Sequence, residues 1–376
     1  MVASSLSFDY NYAPVNHLRV NTRVNTRTGK NEVASVLVND EPLQPTERFW
    51  TSLFARFGFN SAFFKYFDYA ETFSRIAERE KGTIRMCIER GNADGPRLLA
   101  VSNPAKPVIS HAEATDIIAR YGGDNVTYAN GIIESMHRPR VGNTFSILGD
   151  VHENRFVMQT PIDGYGTPNL YLSMLRQVCE NGAIGMARAF RSSLALGKNE
   201  DSVGPSIIRA LDGFNNDEGY AALRQRFTAA GTSWMSVYES QQLYKMLVRL
   251  HHYGYLRGDA QKPKAGRIKW EEGVASPLIT AFHRLTGDVT ATYGLANLDA
   301  LSPKRQRTLP VKCTMYEGLN FATEVATHYT SPEGSRRLNA WVGTTISSEY
   351  DMEGTKDRFG DFSDFLVDAK SEPVQA

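Results

Sequence analysis

Tyr165–Met186, YGTPNLYLSMLRQVCENGAIGM, is the stretch on which the fold turns. It follows Gly164 to make a Gly-x-Gly-x-Pro turn, GYGTP, then runs through a dense apolar segment to Asn181-Gly182. Two readings compete. Leu170/Tyr171, Met174/Leu175 and Val178/Cys179 recur at helical spacing, which makes one buried stripe closed by Asn181-Gly182 as a left-handed cap. In the other reading Asn-Gly is the tight turn of a hairpin and Ala183–Phe190 is the returning strand. Leu, Met, Arg, Gln and Glu form helices readily, and Val178 is the one β-branched residue between Leu170 and Glu180, so the composition favours the helix.

The same stretch carries a resemblance. RQVCENGAI, Arg176–Ile184, is similar to the Arg-x-Val-Cys-x-Asn-Gly signature of the phage/plasmid-like proteins known as domain of unknown function 932. FATEVATHY, Phe321–Tyr329, resembles that family's Thr-Glu-x-x-x-His helix, and Arg336-Arg337 and Trp341-Val342-Gly343 follow in order. The likeness spans Val101 to Ser347 through short motifs. One departure stands out: the family's Asn-Ser-His-Asp-Gly segment is present here only as Ile162-Asp163-Gly164, so no role for that His carries over. The resemblance implies the company of phages and plasmids, and no particular reaction.

Composition bounds the rest. The 376 residues are 41% apolar and 22% charged, ordinary for a chain that buries a core. A net charge of +1 excludes a strongly basic nucleic-acid binder by composition, so any basic surface must be local. Cys87, Cys179 and Cys313 form no C-x-x-C pair, which argues against a disulfide framework or a zinc ribbon and suits a reducing cytoplasm. The opening MVASSLSFDYNYAP lacks the pattern of a signal peptide, and no apolar run approaches a membrane span. The expected compartment is the cytoplasm.

Along the chain, His17–Thr28 alternates cleanly. Leu18, Val20, Thr22, Val24 and Thr26 share one parity; Arg19, Asn21, Arg23, Asn25 and Arg27 share the other. Glu32–Val38 is its expected hairpin partner. The cationic face either tracks a phosphate backbone or guards a sheet edge by charge. Thr46–Gly58 is expected to be helical, and the aromatic cluster from Phe54 to Phe73 is expected to be mostly core, with stacking of bases the alternative. Thr83–Arg90 with Arg97–Ser102, then Val126–Met136 with Thr144–Thr160, are expected strand pairs. Arg138 and Arg140 make the turn between the latter two basic.

Beyond the opening stretch the pattern is helical at Pro205–Leu211, Asp217–Ala230, Ser236–His252 and Ser276–Thr286. Lys304, Arg305 and Arg307 form the densest basic run. Tyr316–Tyr329 reads as an amphipathic helix on which Glu324 and His328, four apart, are close enough to touch. Two ligands do not make a metal site and H-E-x-x-H is absent, so this is expected to be a structural polar pair without metal. No P-loop, dinucleotide fingerprint or nucleophile elbow is present, and no cofactor is expected.

The fold class is therefore α+β, with an antiparallel-sheet-rich N-terminal half and a mainly helical C-terminal half. The expected units are an N-terminal hairpin and aromatic region over 1–100, a phage/plasmid-like unit over 101–347 and an acidic tail over 348–376. The leading functional expectation is a non-enzymatic accessory protein that binds single-stranded DNA or RNA through Arg19, Arg23, Arg27, Arg138, Arg140, Lys304, Arg305 and Arg307. A metal-dependent enzyme centred on Glu324 and His328, and a host-interaction (anti-defence) protein, are the alternatives.

Overall fold

In the computed structural model the deciding stretch is a hairpin. The structure describes residues 6–24, 26, 31–140, 144–176, 181–184, 191–197, 202–252, 254–256, 277–295, 298 and 301–352. Within it Asn169–Arg176 is a strand whose Ser173–Arg176 pair antiparallel with Ile184–Asn181. The expected helix is thereby overturned. The reason is burial on both faces: Leu170, Leu172 and Met174 point to one side, Tyr171 to the other, and all four are buried. A strand covered on both sides is apolar at almost every position, and such a run satisfies helical spacing and strand spacing alike. Asn181-Gly182 lies in the returning strand, and the connection at Gln177–Glu180 is outside the described residues.

Numbered along the chain, the first six strands are β1 (Ser7–Pro14), β2 (Leu18–Val24), β3 (Asn31–Val38), β4 (Glu41–Pro45), β5 (Thr83–Arg90) and β6 (Arg97–Ser102). They form one sheet in the order β1-β5-β6-β4-β3-β2, antiparallel apart from the β4–β6 pair. Helices α1 (Glu47–Phe57) and α2 (Tyr69–Arg79) cover it; their Phe49, Trp50, Leu53 and Phe73 meet Val36, Leu43, Ile84 and Leu98 in one core. The β2–β3 hairpin agrees with its expected pairing. The expected boundary at 100 and 101 falls inside β6, where Ala100 and Val101 are both buried.

After α3 (His111–Arg120) comes a second sheet of seven strands: β7 (Asp124–Ala129), β8 (Ile132–His137), β9 (Thr144–Ile147), β10 (Asp150–Pro161), β11 (Asn169–Arg176), β12 (Asn181–Ile184) and β13 (Arg191–Ser193). Each of the two long strands expected here is in fact a hairpin. Asn130-Gly131 divides β7 from β8 and Leu148-Gly149 divides β9 from β10, with positive φ at all four residues, as a type I′ turn requires.

The C-terminal half is helical: α4 (Val203–Gly213), α5 (Asp217–Thr232), α6 (Val237–His252), α7 (Pro277–Thr286), α8 (Val289–Tyr293), α9 (Pro303–Arg307), α10 (Met315–Glu324) and α11 (Pro332–Thr345), with the short pair β14 (Trp234–Ser236) and β15 (Pro310–Thr314) between them. Helices α4 and α5 bury Ile207, Leu223 and Phe227 near one face of the second sheet, while α11 crosses towards β7 and β12. The α+β reading holds in both halves. Among the described residues no helix is long and apolar enough to cross a membrane.

Candidate nucleic-acid interface

The basic residues singled out in the sequence do not converge on one place. Arg19 and Arg23 project from β2 with 71% and 72% of their side chains exposed, within 3.9 Å of Asp40 and Glu32 respectively. Arg27, the third of that series, lies outside the described residues. Arg138 and Arg140 are exposed in the connection after β8, and Arg138 Nε is 3.5 Å from Glu153. Lys304 and Arg305 are exposed on α9.

Arg307 departs from the expectation: its side chain is only 5% exposed. It donates to the buried Glu239 carboxylate and to the Asp351 carbonyl, and its guanidinium sits 5.2 Å from the centroid of the Tyr350 ring. Glu239 also accepts from the Ser236 N–H at 2.8 Å and from the Tyr350 hydroxyl. Helix α9 packs against α6, which turns Gln306 and Arg307 inward and leaves Lys304 and Arg305 outside. A buried, fully engaged guanidinium cannot serve a phosphate without abandoning a carboxylate that has no water to replace it.

The aromatic cluster divides between core and surface. Trp50, Phe54, Tyr69 and Phe73 are core, as expected. Phe63, Tyr66 and Phe67 are not: Tyr66 is 83% exposed, and Phe63 and Phe67 stack on each other in the open with ring centroids 4.5 Å apart. These three rings belong to the 3₁₀ segment Ser61–Lys65 and its exit, immediately before the Asp68 cap of α2. Helix α2 packs on β2. At its first residue the Tyr69 hydroxyl is pushed up to about 12, by burial and then by the Glu32 carboxylate. Glu32 is the residue opposite Arg23 in the β2–β3 register. The segment that carries the exposed rings thus leads into the helix that meets β2, and the first residue of that helix senses the carboxylate opposite Arg23.

Glu324 and His328 are both exposed, so a buried hydrogen-bonded pair is not what the fold builds from them. Helix α10 gives way after Glu324 to a π-helical turn, Val325–Tyr329. The i→i+5 turn shifts the phase of the helix, and it leaves Tyr329 at the surface although Leu319, Ala322, Val325 and Ala326 stay buried. Among the described residues no group of three or more His, Cys, Asp or Glu side chains is placed to hold a metal ion.

Ile162-Asp163-Gly164 proves to be one joint between the two sheets, beside the Tyr128–Glu89 bond that links β7 to β5. Asp163 is fully buried and accepts a two-pronged contact from Arg48 of α1, whose guanidinium also reaches the Tyr165 carbonyl. The Tyr10 hydroxyl donates to the Ile162 carbonyl. Gly164 has φ 78°, and a Cβ there would stand 2.4 Å from Arg85 Nη2, so this position tolerates glycine alone. Burial pushes the Tyr10 hydroxyl up and the nearby Lys106 ammonium down. Nothing local in the sequence marks the partners of the Asp-Gly pair; Arg48 lies 115 residues upstream of Asp163. No family model, no curated protein and no solved structure matches this chain.

Proposed function

We propose that the protein is a non-enzymatic nucleic-acid-associated accessory factor of the single-strand binding or annealing type, with β2 and the Ser61–Phe67 segment as its contact surface. One observation carries this reading: Phe63, Tyr66 and Phe67 expose their rings just ahead of α2, the helix that packs on β2 and whose Tyr69 feels the charge of Glu32 opposite Arg23. Single-strand binders stack bases on such rings and track the backbone with nearby cations, and neither contact demands a sequence. Arg19 and Arg23 are four residues apart on one strand, about 13 Å at strand rise, which suits two phosphates of an extended chain. The 3.9 Å Arg19–Asp40 pair is exposed on both sides and weak, so exchanging its carboxylate for phosphate costs little, whereas Arg23 would turn from Glu32, whose side chain is only 14% exposed. The likeness of Arg176–Ile184 and Phe321–Tyr329 to phage/plasmid-like proteins supports a place on a mobile element, acting in the cytoplasm.

Fluorescence anisotropy with a labelled oligothymidylate tests the surface. Binding is expected to be sequence-tolerant and to fall steeply with salt. Changing both Arg19 and Arg23 to Gln should flatten the log–log salt slope by about 1.4, the share of two phosphates on a single strand. Tyr66→Ala should cost roughly 1–3 kcal/mol of binding with no change in melting temperature. Absence of binding at low salt, or binding indifferent to all three substitutions, overturns the reading.

A further inference from the structure

A cleft of about 330 Å³ lies on the far side of the molecule's second sheet, between strands β7, β8 and β10 and the roof made by the π-helical turn and the start of α11. Backbone irregularity flanks it on both sides. In its floor, β7 carries a bulge between Asp124 and Thr127, with Asn125 at φ 48°. In its roof, Val325–Tyr329 is the π turn. Bulges and π turns disturb regular hydrogen bonding and recur where a chain must aim side chains at a ligand. Two of them facing each other across one cavity is the first indication of a built site.

The second indication is how the polar groups of the lining are committed. Thr327 donates its hydroxyl proton to the Thr323 carbonyl at 2.9 Å, and Thr330 donates its own to the Ala326 carbonyl at 2.9 Å. Each hydroxyl has one proton, so both oxygens now offer lone pairs alone. Asn339, 97% buried, donates through Nδ2 to Ser335 Oγ at 3.2 Å, while its Oδ1 is buried without a partner. Glu134 can only accept; it takes Gln159 Nε2 at 2.9 Å and Arg336 Nε at a longer 3.4 Å. Arg336 also donates to the Ala129 and Ile132 carbonyls, both at 3.3 Å, and its bond and that of Gln159 both fall on Oε2 of Glu134. Met136, Val157 and Ala326 supply an apolar wall.

We infer that this cleft binds a small primary amine with an apolar body, its ammonium held by Glu134 and the acceptor oxygens of Thr327, Thr330 and Asn339, its body against Met136 and Val157. An ammonium brings three donors and no acceptor, the complement of a lining rich in lone pairs. A carboxylate brings the reverse and meets repulsion from Glu134. A neutral alcohol donates once, and its single bond to Glu134 lacks the ion-pair attraction and the two further donors of an ammonium. The site is separate from β2 and the Ser61–Phe67 segment, and it stands whether or not the protein binds nucleic acid.

Three probes of nearly one shape decide it: tyramine, 2-(4-hydroxyphenyl)ethanol and 4-hydroxyphenylacetate, each titrated into the full chain with the Met136 methyl signal followed by NMR. Tyramine is expected to shift that signal at millimolar concentration, the alcohol to bind roughly tenfold more weakly and the acid not to bind. Glu134→Gln should reduce tyramine to the level of the alcohol. Val126→Trp, at the exposed rim, should block all probes without removing a core contact, which circular dichroism verifies. Equal binding of amine and alcohol, binding of the acid, tyramine binding unchanged by Glu134→Gln or Val126→Trp, or no shift with any probe overturns the inference.

Discussion

Asp163 shows how much one residue can decide. Its carboxylate is fully buried, and the Arg48 guanidinium that answers it is only 16% exposed. Removing one partner of such a pair strands the other charge away from water, which costs roughly 3–5 kcal/mol, whereas replacing both with apolar groups of similar volume is often close to neutral. Asp163→Asn should therefore lose about that amount in urea unfolding, and the double change Arg48→Met with Asp163→Leu should recover much of it. A double variant as unstable as the single one would show that the contact is not the latch between sheets. Arg307 makes the complementary point. Arg307→Gln leaves Glu239 buried without its counter-charge, so the expected result is a lower melting temperature with unchanged affinity for an oligothymidylate. Both assignments needed the structure: a basic run is legible as charge, but which of its members turns inward depends on a carboxylate 68 residues away.

Among the elements, β11 is the one whose sequence misleads. Its apolar residues occur in an almost unbroken run, and periodicity carries no information when nearly every position qualifies. The strand lies between β10 on one edge and β12 and β13 on the other, with both faces covered. Leu172→Ala and Met174→Ala should each cost roughly 2–5 kcal/mol, since neither site can collapse without moving strands on both sides. Wild-type melting in both variants would place β11 outside the core. The hairpins at Asn130-Gly131 and Leu148-Gly149 differ in legibility. Asn-Gly is a strong turn signal within Val126–Met136, while Leu148 at φ 52° is a conformation that leucine rarely adopts and no local rule anticipates. Leu148 is held there by α5, where a Cβ on Gly231 would come 2.1 Å from Leu148 Cδ1.

At the scale of the molecule, burial of histidines sets a pH limit. His137 and His152 are almost wholly buried, and burial lowers both imidazoles below the ordinary value of 6.5. His137 stacks on Phe156 and hydrogen-bonds Ser135 Oγ at 2.8 Å; facing it, Asp124 and the Tyr121 backbone pull the other way but do not outweigh burial. Once the pH drops below 6.5 the unfolded chain takes up protons that the folded one refuses, so stability is retained above that value and lost as pH falls towards the depressed folded values. Urea unfolding at about pH 7 and about pH 5 should give a clearly lower midpoint in acid, with part of the loss removed by His137→Asn or His152→Asn. Stability that is flat or rising towards pH 5 contradicts this account. Asp150, held low by Arg176 and Tyr316 against the opposing effect of burial, titrates in a lower window and does not confuse the comparison.

Sequence by itself determined the class of the fold and most of its local units. The strand character of β2, the helix over Thr46–Gly58, the pairing of β5 with β6 and the apolar stripes of α5 and α6 are each written in residues close together in the chain, where sterics and period act directly. Only the tertiary structure decided that Asn169–Arg176 is a strand, that Arg307 is buried, that Phe63, Tyr66 and Phe67 stay outside a core their neighbours enter, and that acceptor oxygens from two distant segments face one cleft. Those outcomes depend on contacts between residues far apart in the chain. An apolar or charged side chain has the same local preferences whether its partner is water, a sheet or a carboxylate, and the partner is fixed by folding.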